Sequence, residues 1–366
     1  MPQRVLILSA DIGEGHDLPA RVLAGELAAE RPDVEVIVED GLAAMGRVVV
    51  AAIKDNSRIT FDRLRFAFDL QYWLVTRFGA ARWVASTLLY VFGARGVLAL
   101  VRARDPDIVV STYPGTTEIL GILRRRGRLH MPVCSAITDL SGLHYWAHPS
   151  VDLHLVTHPE SIEEVRRVAG DTEVRCVRGL TSSEFSEPRD RGEARRALGL
   201  PEDGSVVLVS GGGWGIGDLT GAVHTTLEVA PDATAVCLCG RSEEARRHVH
   251  ARFATDGRVR VLGFTDRMGD LLAAADVLVH STAGLTVLEA LMRGCPVISY
   301  GFGVGHVRAS NRAFSRFGLA EVASSRRQLA AALRRALAGR PEPDLTFAAL
   351  PTAASQVLAA LPAPVS

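Results

Sequence analysis

His280-Ser-Thr-Ala-Gly-Leu-Thr-Val-Leu-Glu-Ala-Leu-Met-Arg-Gly-Cys-Pro-Val-Ile-Ser299 reads as a strand end, a tight loop, a helix, a glycine stop and the next strand. The apolar run Asp276–Val279 gives way to the small, polar Ser281–Gly284. Leu285, Leu288, Ala290, Leu291 and Met292 then recur at helical spacing, and Gly294 with Pro296 ends the helix. A loop between a strand's carboxyl end and a helix N-terminus offers unpaired N–H groups and a positive dipole end, which suits a phosphate. Glu289, one turn on, can accept from the two hydroxyls of a ribose. Thr286-Val-Leu-Glu289 also fits the S/T-x-x-E capping box, which would only close the helix start. Spacing alone leaves both open.

The same alternation extends outward. Val5–Ser9 is a buried-strand run, Asp11–Asp17 a loop, Ala20–Glu30 an amphipathic helix and Val34–Glu39 a strand. Parallel α/β sheets bind ligands at such loops, outside the strands' carboxyl ends. The loop reads G-x-G-x-x-L and lacks the third glycine of a dinucleotide site. His16 lies near the helix N-terminus, where the dipole disfavours imidazolium and leaves the ring able to accept a proton. A capping or core histidine is the alternative. Further on, Val206–Ser210 ends in Gly211–Gly217, with five glycines in seven residues that allow close backbone approach. The chain therefore reads as two doubly wound α/β domains, 1–180 and 181–345, with a linker at Gly179–Gly192. The tail 346–366 is expected to hold a helix that packs back on the first domain.

Composition excludes several functions. The net charge is zero over 366 residues, so nothing points to nucleic acid. Five cysteines without a C-x-x-C fit a reducing compartment and no structural zinc, and no metal or cofactor is expected. His144 and His148 lack a spaced partner for a metal, and Asp105-Pro-Asp107 reads as a strand-entry turn. Lys54 is the single lysine, which rules out a G-K-S/T phosphate loop. No signal peptide is read at the start, and no uninterrupted apolar run approaches the ~18 residues of a membrane span. The expected location is cytoplasmic. Residues 45–104 differ from the rest, with ten Lys/Arg against three Asp/Glu and nine of the chain's 21 aromatics. Such helices can lie in an anionic membrane interface, peripheral on the inner face. The alternative is that they bury their rings against the first domain.

Ser9-Ala-Asp-Ile-Gly-Glu-Gly-His16, Ile137-Thr-Asp-Leu-Ser-Gly-Leu-His144, Gly211-Gly-Gly213, Gly263-Phe-Thr-Asp-Arg-Met268 and Ser281–Glu289 together resemble the GT-B glycosyltransferases. More narrowly they resemble the monogalactosyldiacylglycerol synthase and processive diacylglycerol glycosyltransferase group, with the MurG peptidoglycan enzyme more distant. The resemblance implies two Rossmann-like domains facing a central cleft, acceptor-binding first and donor-binding second. It implies that Phe264 and Thr265 border the base, Thr265 through its backbone, that Met268 belongs to the donor site, and that Thr282, Ala283, Gly284, Leu285 and Thr286 hold the diphosphate. Glu289 would take the ribose, Gly212 and Gly213 would line the donor site, and His16 would be the general base. Gly13, Gly15, Asp139 and His144 fall on the acceptor side.

Two departures stand out. Glu14 interrupts the glycines before His16. The segment that normally gives acid or amide groups to the sugar reads Gly305-His-Val-Arg-Ala-Ser-Asn311, keeping Asn311 on the donor side but placing His306, Val307 and Arg308 before it; Arg308 would suit an acidic sugar or a phosphate of the donor. The function implied is inverting transfer of a hexose from a nucleoside-diphosphate sugar, a UDP-sugar first, to a lipid acceptor such as diacylglycerol. The alternatives are a soluble small-molecule acceptor, a sugar-nucleotide epimerase, or a binder without turnover.

Overall fold

The computed structural model describes residues 2–11, 14–55, 74–75, 77–282, 284–301, 305–339 and 349–363. The chain divides into two compact units. One comprises Met1–Thr181, Val304–His306 and Ala349–Ser366; the other comprises Ser182–Gly303 and Val307–Ala348.

The first unit carries β1 (Arg4–Ser9), β2 (Glu35–Asp40), β3 (Ile108–Ser111), β4 (Val133–Ile137), β5 (Leu153–Val156) and β6 (Glu173–Cys176). Among the described residues they form one parallel sheet in the order β2-β1-β3-β4-β5-β6. Strand alternation sends Val5 and Ile7 to one face, against Ala20, Leu23, Leu27 and the Ala353–Ala359 helix. Leu6 and Leu8 go to the other face, against Val97 and Val101 of the Gly79–Arg104 helix. Both faces are covered, which is why β1, β3 and β4 read as continuous apolar runs. The strand order reverses between β1 and β3.

The second unit repeats the plan with β7 (Val206–Ser210), β8 (Thr234–Leu238), β9 (Val259–Leu262), β10 (Val277–His280), β11 (Val297–Tyr300) and β12 (Glu321–Ala323). Its order is β12-β11-β10-β7-β8-β9, again parallel, with Ser210 paired to His280 at the carboxyl edge. Here the order reverses between β7 and β10, so the glycine-rich loop and the loop after His280 leave from neighbouring strands.

Two local features differ from expectation. The first helix begins at Glu14, not Ala20, and runs to Glu30 with Pro19 inside it. Proline has no N–H to give the Gly15 carbonyl; Thr138 Oγ1 donates to that carbonyl instead, at 3.4 Å. The Gly79–Arg104 helix is long and apolar enough, by length and composition, to cross a membrane. Its second half nevertheless buries Gly93, Ala94, Val97, Leu98 and Val101 in the unit core. Its first half exposes Trp83, Val84, Leu88, Val91 and Phe92, with Trp83 69% exposed. Residues 56–73 and 76, including Phe61, Phe66, Phe68, Tyr72 and Trp73, lie outside the described residues.

Candidate active site

In the first unit, the loops leaving β1, β3 and β4 converge where the strand order reverses. His16 is the third residue of the Glu14–Glu30 helix. Its Nδ1 lies 3.1 Å from the Thr112 carbonyl oxygen, just past β3. A carbonyl only accepts, so Nδ1 carries the proton and Nε2 is the basic nitrogen of the neutral ring. Thr112 Oγ1 donates to the His16 carbonyl at 3.1 Å, which ties the first helical turn to β3. Tyr113 meets the ring edge-on with centroids 5.2 Å apart, and Trp146 packs at 5.7 Å. Trp146 Nε1 in turn donates to Asp139 Oδ2 at 3.1 Å. Asp139 therefore acts on this cluster through Trp146. His144 lies half-buried in the short Leu143–Trp146 helix, and burial with nearby Arg82 lowers its pKa. Gly15 is exposed beside His16; Gly13 and the Glu14 side chain lie outside the described residues.

In the second unit the glycine-rich loop backs directly onto the loop after β10. Gly212 has φ +65°, and a Cβ there would stand 2.8 Å from Thr282 Oγ1. A Cβ on Gly217 would meet the Ser281 hydroxyl. These glycines make room for neighbouring side chains as much as for a ligand. Gly284 caps the Leu285–Met292 helix at φ 121° with no side-chain hydrogen bond, a conformation that favours glycine. The capping box therefore does not form: Thr286 is the helix's second residue and Glu289 its fifth, buried at 6%. Ala283 lies outside the described residues.

Beneath this loop, buried His280 places Nε2 2.9 Å from Thr282 Oγ1. Burial pulls its pKa down to about 4, so the ring is neutral at ordinary pH. Tyr300 donates to Asp218 at 3.0 Å, and Asp218 also accepts from Gly221 N at 2.8 Å to cap the Leu219–Val229 helix. Ser299 Oγ donates to Asn311 Oδ1 at 2.6 Å, which engages that amide oxygen and leaves the amide N–H2 as its donor side. At the β8–β9 end, the Arg241 guanidinium lies 3.9 Å over the Phe264 ring, and Gly213 O accepts from Arg241 N at 2.9 Å. Phe264 is 53% exposed past β9 and Trp214 is 60% exposed past β7. Thr265 Oγ1 accepts from Arg267 N at 3.1 Å, and Met268 opens the Met268–Ala274 helix.

Arg241 escapes the motif reading, and Trp214 and His280 lie within the quoted stretches without a role assigned to them, although each stands at or just past the carboxyl end of a strand, where the ligand rule for such sheets applies. Among the described residues no group of three His, Cys, Asp or Glu gathers to hold a metal ion.

The family model for monogalactosyldiacylglycerol (MGDG) synthase matches residues 16–179, and that for glycosyl transferases group 1 matches 214–338. A processive diacylglycerol beta-glucosyltransferase of Staphylococcus carnosus is 22% identical over 326 residues, covering 88% of this chain and 82% of that protein. The chain is a glycosyltransferase of GT-B fold, similar to the monogalactosyldiacylglycerol synthase group. Solved structures agree on the fold. MurG of Acinetobacter baumannii aligns with a TM-score of 0.56 at 14% identity, over 98% of this chain and 99% of its own. The glycotransferase of kitacinnamycin aligns with a TM-score of 0.59 at 16% identity, over 99% of this chain and 100% of its own.

Proposed function

We propose that this glycosyltransferase moves a hexose from a nucleoside-diphosphate sugar, a UDP-sugar first, to a hydroxyl of a lipid acceptor such as diacylglycerol, with inversion. The named activity of the staphylococcal relative supports the acceptor class. The observation that carries the chemistry is the hydrogen bond between His16 Nδ1 and the Thr112 carbonyl, which leaves Nε2 as the basic nitrogen. His16 Nε2 takes the acceptor proton as the acceptor oxygen bonds to the anomeric carbon. The bond from that carbon to the diphosphate oxygen breaks on the opposite face, and the nucleoside diphosphate leaves with the electron pair. N–H groups at Gly284, Leu285 and Thr286, with the Thr282 hydroxyl, receive the charge that grows there. Glu289 takes the ribose diol, and Phe264, Thr265 and Met268 border the base beside Gly212 and Gly213. Gly15, Asp139 and His144 fall on the acceptor side.

The exposed first half of the Gly79–Arg104 helix supports a peripheral membrane surface. About half of 26 residues rises roughly 20 Å, short of the ~30 Å hydrocarbon core, so these apolar side chains suit an interface and not a span. The test is incubation with UDP-, dTDP- and GDP-sugars and diacylglycerol vesicles, with products read by mass and the anomeric linkage by NMR. A glycolipid of inverted configuration is expected. Transfer only to soluble acceptors, a retained configuration, or an isomerised donor without any acceptor would overturn the proposal.

A further inference from the structure

Thr112 and Thr138 each stand one residue past the carboxyl end of a strand, β3 and β4, and both are buried. Their hydroxyls donate to consecutive carbonyls of the Glu14–Glu30 helix. Thr138 Oγ1 reaches Gly15 O at 3.4 Å, and Thr112 Oγ1 reaches His16 O at 3.1 Å. The Thr112 carbonyl in turn accepts from His16 Nδ1 at 3.1 Å. Residues 16 and 112 therefore hold each other at two points, the side chain of each on the main chain of the other.

Satisfying buried polar groups does not by itself call for this pattern. A helical carbonyl takes its bond from the N–H four residues on. For His16 that residue is Ala20, and the Thr112 hydroxyl has a second acceptor in Leu8 O at 3.4 Å. The Thr112–His16 bond is thus a tether added to a helix that has its own donor there. Gly15 differs, because four residues on stands Pro19, which has no N–H to give. Thr138 takes the place of that donor. The first helical turn is one internal bond short at Pro19 and is fastened to β3 and β4 instead. An imidazole needs such fastening. Its ring torsion is broad and roughly two-fold, so the side chain alone does not choose which nitrogen faces the Thr112 carbonyl. Nδ1 keeps its 3.1 Å bond, and Nε2 stays the basic nitrogen, only while the two backbones keep their spacing.

We infer that Thr112 and Thr138 are positioning residues whose hydroxyls hold His16 in its Nδ1–H form, with Pro19 freeing the Gly15 carbonyl for the hold. This rests on His16 being the base of the proposed reaction, but the state of the ring is read without turnover. The ring nitrogens are followed by nitrogen NMR on histidine-labelled full-length protein at alkaline pH, the His16 signal being assigned by its loss in His16→Asn. Rates are taken with UDP-glucose and diacylglycerol vesicles, and thermal unfolding is recorded beside them. Wild type should show the Nδ1–H form. Thr112→Val and Thr138→Val, which keep the volume and lose the hydroxyl, should show both tautomers. Their kcat should fall roughly 10- to 100-fold, the scale of a small misplacement of a reacting group. KM for the donor should stay put, because the residues proposed to hold it belong to the second unit. Thr112→Ser and Thr138→Ser keep the hydroxyl and should restore both readouts. Pro19→Ala returns a helical N–H to the Gly15 carbonyl and gives a second background for the same variants. There Thr138→Val should no longer matter, while Thr112→Val still should.

Valine variants that keep the Nδ1–H form and wild-type kcat, whatever their Tm, would overturn the inference. So would serine variants as slow as the valine ones, or a Thr138→Val loss that is equal with and without Pro19. Mixed tautomers in the valine variants beside undiminished turnover in His16→Asn would leave the hold standing while His16 failed as base. A fixed tautomer in the valine variants beside a slow His16→Asn would overturn the hold and keep the base.

Discussion

His16→Asn separates the base from the structural histidine. An asparagine Nδ2 falls near the place of the histidine Nδ1, so the 3.1 Å bond to the Thr112 carbonyl can persist while Nε2 disappears. His16→Ala loses that bond as well. The hydrogen bond is worth about 1 kcal/mol net, and the contacts with Tyr113 and Trp146 roughly another 0.5–1.5 kcal/mol. Alanine therefore costs about 2 kcal/mol and asparagine about 1 kcal/mol by the same magnitudes. For a unit of this size that is roughly 4–8 °C and 2–4 °C in Tm. Turnover should fall in both by on the order of 10²–10⁴, the share of general-base catalysis, whatever the stability. The assay is initial rate at saturating donor beside thermal unfolding and nucleotide affinity. The acidic limb of the pH–rate profile should vanish in both variants. An asparagine variant within tenfold of wild-type turnover, or rates that follow Tm across the two, would refute His16 as base.

Three further outcomes follow from the geometry. Gly212→Ala puts a Cβ 2.8 Å from Thr282 Oγ1 at φ +65°; the left-handed strain alone is about 1–2 kcal/mol, and nucleotide affinity should drop with Tm, so an unchanged pair in calorimetry would show that the two loops are not coupled. Changing Trp83, Leu88 and Phe92 together to Ser should weaken sedimentation with anionic vesicles at unchanged Tm, because all three are exposed; binding indifferent to them would remove that helix as the lipid surface. Burial holds His148, His154, His158 and His280 down to about 4. The unfolded chain protonates near 6.5, so stability is whole above that pH and falls toward pH 4, by at most about 1.4 kcal/mol per unit for each histidine; a flat urea midpoint between pH 7.5 and 5 would contradict it.

The fold was legible because both sheets are parallel and covered on both faces. Runs such as Val5–Leu8 and Val277–Val279 are then apolar throughout, and their carboxyl ends are marked by sudden glycine, serine and threonine. The helix start at Glu14 was not legible, because Pro19 reads as a boundary. The Thr138 hydroxyl, 123 positions away, donates to the Gly15 carbonyl that Pro19 leaves without its helical partner. Thr286 and Glu289 match a capping pattern in spacing alone; Gly284 takes the cap position, and a one-dimensional pattern cannot show which residue turns the chain. Arg241 was silent because no motif contains it. Its place over Phe264 depends on β8 and β9 being neighbours, a property of the sheet order. The Trp146–Asp139 link was silent for the related reason that the segment between them turns into the short Leu143–Trp146 helix and folds back on Asp139, seven positions earlier.

His280 lies directly under Thr282, yet its low pKa keeps it neutral at the pH where the enzyme would work. Lys54 is the single lysine of the chain, so the second unit itself supplies no ammonium to the diphosphate. What remains at Thr282–Thr286 is dipolar: N–H groups, a hydroxyl and the helix terminus, roughly half a positive charge in sum. A dipolar site of fixed direction binds the growing charge of a leaving diphosphate without reorganising. It also holds the product less tightly than a full cation would, and binding that is equal before and after the barrier does not speed turnover. A buried, neutral imidazole thus serves the loop by orienting Thr282 and not by adding charge.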